Sequence, residues 1–100
     1  MQEKKNQTER ALTVLEALFF EPINGLANIE ICQKTGFHAV DVSRLLKTLH
    51  EARWAEKNKY GRWVPSVRFL GFIKKYNLAL GSVTGDIEEI EQRSNAYARR

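Results

Sequence analysis

A single cysteine, Cys32, leaves no partner for an internal disulfide, and one thiol fits a reducing compartment such as the cytoplasm. No apolar run approaches the ~20 residues of a membrane span. The N-terminus, MQEKKNQTER, is polar and has no apolar centre of the kind a secretory signal needs. The paired Cys/His spacings of a zinc site are missing, so Cys32, His38 and His50 suggest no metal. There is no glycine-rich phosphate loop, no nucleophile elbow and no pair of carboxylates placed for acid–base work. Neither an enzyme nor a bound cofactor is expected, and no repeat or low-complexity segment is visible. A membrane partner is likewise not expected.

What remains is a small domain, or a domain with an appendage, in 100 residues that are 43% hydrophobic and 28% charged. The net charge of +4 is unevenly spread. From Lys34 to Lys75 there are ten Lys or Arg against three acids, Asp41, Glu51 and Glu56, while the flanking stretches are slightly acidic. A basic surface of this kind attracts phosphates through counterion release. The plain alternative is an ordinary solvated surface.

The segment GLANIEICQKTGFHAVDVSRLLKTL, residues 25–49, has the pattern of a helix-turn-helix. Cys32 is small enough to let a second helix approach the first. Gly36 falls at the turn, where a left-handed backbone is open to a residue without Cβ. Val42, Leu45, Leu46 and Leu49 share one face at helical spacing, and Phe37 adds apolar bulk before them. After Leu49, Ala55–Lys57 and Trp63–Val64 read as short strands around Asn58, Lys59, Tyr60, Gly61 and Arg62, with Gly61 suited to the positive φ of a tight hairpin. Helix, turn, helix, hairpin is the order of a winged helix.

The expected fold class is therefore mostly α with a small β-hairpin, a winged helix-turn-helix followed by C-terminal helices. Residues 1–7 are expected to be disordered, 8–80 to form the winged domain, and 81–100 to be a linker and C-terminal helix. Thr8 is the expected cap of a first helix over Arg10–Phe20, with an apolar stripe of Leu12, Leu15, Leu18 and Phe19. The break at Glu21–Gly25 precedes a second helix, capped by Asn28 and ending near Thr35. A third runs over Ala39–Ala52. Ser66 caps a fourth, Val67–Leu80, whose apolar face is Phe69, Leu70, Ile73 and Tyr76. Gly81–Gly85 forms a break, and Asp86 opens a last helix.

On the third helix, the face opposite the apolar one carries Val40, Arg44, Lys47 and Glu51, with Ser43 to one side. Arg44 is suited to a bidentate contact with guanine, Val40 to a thymine methyl, and Ser43 to a base or a phosphate. Lys47 lies further along and suits a phosphate. His38 suits a phosphate or simply the turn. Asp41 either favours the helix dipole or accepts from a cytosine amino group, and in both roles it repels phosphate. On the hairpin, Lys57, Lys59 and Arg62 flank Tyr60 and suit phosphate or minor-groove contact. Trp54 and Trp63 are better explained as core packing than as stacking platforms.

These residues resemble the N-terminal DNA-binding domain of IclR-type transcriptional regulators. Arg10–Leu18 is similar to that family's opening helix, Lys34-Thr35-Gly36-Phe37 to its turn, Ser43–Leu49 to its recognition helix, and Arg62–Leu70 to its wing strand and the helix after it. The resemblance covers about residues 9–80. It implies a winged-helix fold, double-stranded DNA as partner and a homodimer. Three departures stand out. The family continues into a large effector-binding domain, whereas this sequence reaches Arg100, so no small-molecule effector is expected within it. The family's Pro-Lys-Ser-Thr start of the recognition helix is here His38-Ala39-Val40-Asp41. The glycine usual after that helix is here Arg53.

The function expected is that of a small DNA-binding transcriptional regulator in the cytoplasm, without an effector-binding domain. Its recognition helix, about 39–52, lies in the major groove, and its wing, 55–64, on the backbone or minor groove. The alternative is a protein-interaction module on a winged-helix scaffold that does not bind DNA. Val83, Ile87, Ile90 and Tyr97 follow a heptad-like spacing, so Ile87, Ile90 and Tyr97 are the expected dimer interface, unless they fold back on the chain's own core.

Overall fold

In the computed structural model, which describes residues 6–81 and 87–99, the chain forms five helices and one hairpin. They are α1 (Gln7–Leu18), α2 (Asn28–Thr35), α3 (Ala39–Glu51), β1 (Ala55–Lys57), β2 (Trp63–Pro65), α4 (Arg68–Gly81) and α5 (Ile87–Ala98). The expected class, mostly helical with a small hairpin in winged-helix order, is the class observed.

Helix α1 starts earlier than expected. Asn6, not Thr8, is the cap: its Oδ1 accepts the Glu9 N–H at 2.8 Å, and its amide reaches the Glu9 carboxylate at 3.1 Å. Asparagine is among the best N-caps, and this one lies three residues before an acid that suits the positive helix start. Asn6 and Gln7 are thus ordered; residues 1–5 of the expected disordered stretch lie outside the described residues.

The buried face of α1 is also different. Val14, Ala17 and Leu18 are buried, whereas Leu12 is 58% and Phe19 45% exposed. At about 100° per residue, Leu12 and Phe19 lie ~140–160° round the helix from Val14, so they share a face with each other but not with the core. The helix ends at Leu18, two residues before the expected Phe20.

Helix α2 is capped by Ala27 rather than Asn28. Alanine has no acceptor to offer, but Glu30 reaches back and accepts the Ala27 N–H at 2.9 Å. Gly36 ends the helix at φ +77°, its N–H bonded to the Cys32 carbonyl at 2.8 Å, as the turn requires.

Helix α3 packs on both α1 and α2 through Val42, Leu45, Leu46 and Leu49, all buried. Val14, Leu18, Leu26, Ile31 and Ala55 complete the core, with Phe37, Trp54 and Trp63 packed against it. The tryptophans thus take the packing role expected of them.

The hairpin pairs β1 with β2 antiparallel, matching Ala55 to Pro65, Glu56 to Val64 and Lys57 to Trp63. Leu26 adds a further rung that local sequence does not announce. It exchanges both backbone hydrogen bonds with Trp63, each 2.9 Å. Gly25 makes this approach possible: a Cβ there would stand 2.7 Å from the Arg62 Cβ and 3.1 Å from the Trp63 carbonyl, at φ +81°.

One compact unit ends at Arg68 and a second begins at Phe69. The second unit holds α4 and α5. The Ser66 hydroxyl accepts the Arg68 N–H at the start of α4, in the capping position expected of it. Neither α4 nor α5 buries a residue. Of the expected break at Gly81–Gly85, Gly81 is still helical; residues 82–86, including Val83 and Asp86, lie outside the described residues.

Candidate nucleic-acid interface

The outward face of α3 exists because its other side is consumed by the core. With Val42, Leu45, Leu46 and Leu49 turned inward, Val40, Ser43, Arg44, Lys47 and Glu51 are left in solvent. Val40 is 67% exposed, unusual for a large aliphatic side chain. Arg44 and Lys47 form no ion pair among the described residues.

Polar contacts from three distant parts of the chain fix how that face is held. At the start, the Arg10 guanidinium of α1 pairs with Asp41 at 2.9 Å and lies 4.8 Å over the Phe37 ring. Asp41 sits in the first turn, as its helix-dipole role requires, and its charge is met by Arg10. His38 is the N-cap residue of α3 and is exposed, but its side chain makes no capping bond.

At the side, the Asn28 amide of α2 donates to the Ser43 hydroxyl at 2.8 Å. At the end, Arg53 stands where the family pattern has glycine, and it takes the glycine conformation, φ +68°. Its N–H bonds the His50 carbonyl at 3.0 Å and the Trp54 N–H bonds the Leu49 carbonyl at 2.8 Å, the two bonds of a Schellman close. Arg68 adds its guanidinium to the Ala52 and Arg53 carbonyls at 3.1 and 3.3 Å and covers the Trp54 ring at 4.7 Å. A cation at this position also complements the negative end of the helix dipole. Sequence reasoning passed over Arg10, Asn28 and Arg68, because each acts across 15 or more residues.

The wing is organised by Asn58. Its Oδ1 accepts the N–H groups of Tyr60 and Arg62 at 2.9 and 3.1 Å, closing the turn with Gly61 at φ +74°. Its amide donates to the Ile23 and Asn24 carbonyls at 3.1 and 2.9 Å, tying the turn to the loop after α1. The Asn was legible as a turn residue; its reach to residues 23 and 24 was not.

Lys57, Lys59 and Tyr60 are brought together at the tip and are exposed. The Lys59 ammonium lies 5.2 Å from the Tyr60 ring and that of Lys57 5.1 Å from Trp63. Arg62 is placed differently: it turns back into the domain. Its Nε donates to the Gly25 carbonyl at 3.1 Å, and its guanidinium pairs with Glu30. The Ala27 N–H and then Arg62 hold the Glu30 carboxyl below the usual glutamate range, against the opposing effect of burial. Arg62 therefore braces the wing against the start of α2.

His50 turns its Nδ1 to the Ala55 carbonyl at 3.0 Å, and its ring makes a T-shaped contact with Trp63, centroids 5.8 Å apart. Among the described residues no group of three or more His, Cys, Asp or Glu could hold a metal, and no helix is long and apolar enough to cross a membrane. The three residues expected at a dimer interface all lie on α5. Ile87 and Ile90 are half-buried and Tyr97 is 68% exposed. Ile90 and Tyr97 line an open groove of about 510 Å³ within the second unit, together with Phe69, Phe72, Ile73 and Tyr76 of α4.

Residues 7–59 match the model of the IclR helix-turn-helix domain. No curated protein matches the chain. Among solved structures, it is similar to an IclR family transcriptional regulator from Brucella abortus, at 24% identity and a TM-score of 0.57, over 84% of this chain and 33% of that one. The chain thus spans about a third of the length of that regulator. The structural likeness concerns the fold; the domain match concerns the stretch that builds α1, α2, α3 and the first strand of the wing, and it ends before β2.

Proposed function

Because the chain belongs to the IclR helix-turn-helix domain family, we propose that it regulates transcription by seating α3 in the major groove of double-stranded DNA, with the wing on the backbone or minor groove. The observation that carries this reading is the exposed face of α3, where Arg44 and Lys47 lack acidic partners among the described residues. It sits within a stretch, Lys34–Lys75, that holds ten bases and three acids. Arg44 reads a base edge, guanine by preference, and Val40 packs on a thymine methyl. Ser43 lies beside them. Lys47 and His38 meet phosphates, and Lys57, Lys59 and Tyr60 extend the contact from the wing. Arg62 serves the same interface by bracing that wing.

The protein works in the cytoplasm as a homodimer, with Ile87, Ile90 and Tyr97 at the interface. Support for pairing comes from α4 and α5, which together bury no residue although they carry an apolar groove. Isolated helices of this length are marginal in water, so a partner surface stabilises them.

The test is binding of the full chain to duplex DNA at low salt. Exchanging Arg44 and Lys47 for Glu should weaken binding well beyond tenfold, since removing a base or phosphate contact costs on the order of 1–3 kcal/mol. Undiminished binding by a folded double variant would remove α3 from the interface. Failure of the wild-type chain to shift any duplex would favour a protein-interaction module instead. The exposed Leu12 and Phe19 on the outer side of α1 suit that second reading.

A further inference from the structure

Ser43 is treated differently from the other hydroxyls of the helical core. Thr13, Thr35 and Thr48 each donate to the carbonyl four residues back, at 2.9, 2.8 and 3.2 Å. This is the usual way a helix absorbs a hydroxyl proton. Ser43 makes no such bond among the described residues. Its oxygen is instead an acceptor, taking a hydrogen from the Asn28 amide at 2.8 Å. Asn28 is oriented in turn, because its Oδ1 receives the Cys32 thiol at 3.4 Å. Thiol to amide oxygen, amide nitrogen to hydroxyl: the three side chains form a directed line from within α2 to the outer face of α3. A hydroxyl has one proton and two lone pairs. With one lone pair engaged from behind, the proton and the second lone pair are left, and among the described residues no acceptor takes that proton, which belongs to an exposed residue beside Arg44.

We propose that Asn28 is a positioning residue that sets Ser43 as a hydrogen-bond donor to a base edge, so that Ser43 selects an acceptor in the major groove. The inference rests on the reading that α3 enters that groove. The acceptors presented there are guanine N7 and O6, adenine N7 and thymine O4, whereas cytosine offers its amino donor. Ser43 therefore disfavours cytosine at the position it faces. The Asn28 contact biases the hydroxyl towards donation by occupying one of its two lone pairs, where a serine hydroxyl by itself rotates to donate or accept with both free.

The direction of the line can be reversed by one substitution. In Asn28→Asp the side chain is acceptor-only, so it takes the Ser43 proton and leaves the serine lone pairs facing outward. The exchange is nearly isosteric, and a carboxylate in the first turn of α2 suits the helix dipole, so the fold should persist. Its added charge weakens binding to every sequence alike, which is why base preference, rather than affinity, is read out.

The experiment is selection of bound sequences from a randomised duplex library by the full chain, by Ser43→Ala and by Asn28→Asp, with thermal unfolding of each. Ser43→Ala should lose a roughly three- to tenfold preference at one base pair, the range of a single neutral hydrogen bond. Asn28→Asp should reverse the preference at that same base pair, towards a base presenting an amino donor, and leave the other positions unchanged. If Ser43→Ala keeps the wild-type motif, or weakens all sequences equally as removal of a phosphate contact would, the proposal is overturned. It is also overturned if Asn28→Asp keeps the wild-type preference while Ser43→Ala loses it. If the wild-type chain itself enriches no sequence and shifts no duplex at low salt, the DNA reading fails, and this inference with it. That outcome is distinguishable because it does not depend on either variant.

Discussion

Replacing Arg53 with glycine should make the domain more stable, and the sign follows from one dihedral angle. Arg53 holds φ +68° and is the single non-glycine residue at positive φ among those described. A left-handed backbone costs a residue with a Cβ roughly 1–2 kcal/mol. Glycine removes that strain but returns roughly 0.5–1 kcal/mol through the larger freedom of the unfolded chain. The main-chain bonds of the position, N–H to His50 and carbonyl from Arg68, do not depend on the side chain. That side chain is exposed and forms no ion pair among the described residues. The net gain lies between about 0 and about 1.5 kcal/mol, about 0.75 kcal/mol at the middle of the two ranges, or an unfolding midpoint higher by about 3–6 °C in a domain of this size. Thermal and urea unfolding followed by circular dichroism would measure it. Arg53→Ala keeps a Cβ and should remain near wild type. Gly36→Ala should move the other way by a similar amount, because its φ is +77° although a Cβ there meets nothing within 4 Å. A midpoint for Arg53→Gly at or below wild type, or an equal rise in Arg53→Ala, would refute the strain argument.

Neutralising Lys57 and Lys59 should flatten the slope of log affinity against log salt by up to ~0.9 for each phosphate no longer neutralised; an unchanged slope would place the wing off the DNA. Arg62→Ala should instead lower the unfolding midpoint, because it cuts the tie to Gly25 and Glu30. Glu30 has a depressed pKa in the folded chain, so its contribution is present above the usual glutamate range and is lost as pH falls through the depressed value. Glu30→Gln should therefore show a shallower acid limb in a plot of stability against pH, and a limb as steep as wild type would show that this carboxylate is not the group being titrated. Sedimentation of the full chain and of Ile87→Asp/Ile90→Asp should give a dimer and a monomer respectively; a monomeric wild type at high micromolar concentration would sink the α5 interface.

The parts of this molecule that sequence makes visible are those governed by period and by turn chemistry. Val42, Leu45, Leu46 and Leu49 repeat at helical spacing, so the buried side of α3 and the exposed side that remains are both legible. Gly36 and Gly61 mark turns that need positive φ, and both adopt it. The errors arise where several local solutions compete. Asn6 and Thr8 are both good caps, and only the bond to Glu9 separates them. Leu12 and Phe19 look like part of an apolar stripe, but the stripe through Val14 and Leu18 wins because Val14 and Leu18 pack with the helices and wing around them. What sequence does not show at all is pairing across distance. The Leu26 rung on Trp63, the Arg62 brace on Glu30 and the Asn28 contact with Ser43 leave no local pattern.

Those distant contacts bear directly on how an altered recognition helix can still present its face. In the family pattern the helix opens with a lysine and two hydroxyls; here it opens with His38-Ala39-Val40-Asp41, which places a carboxylate near the expected phosphates. Taken alone, Asp41 would oppose binding. Paired with Arg10 at 2.9 Å, it becomes the anchor of α3 on α1, and its charge is met from within the domain. Anchored there at its start, by Asn28 at its side and by Arg68 at its end, α3 is tied by polar contacts to residues on three other segments. Arg44 and Lys47 take no part in those ties, so the two cations remain available to an external anion. Residues that hold the helix and residues that face outward are thus different sets, and a substitution in one set should change stability while a substitution in the other changes binding. Ser43 is the exception, since it belongs to both, and it is the position where holding the helix and choosing a base are expected to be coupled.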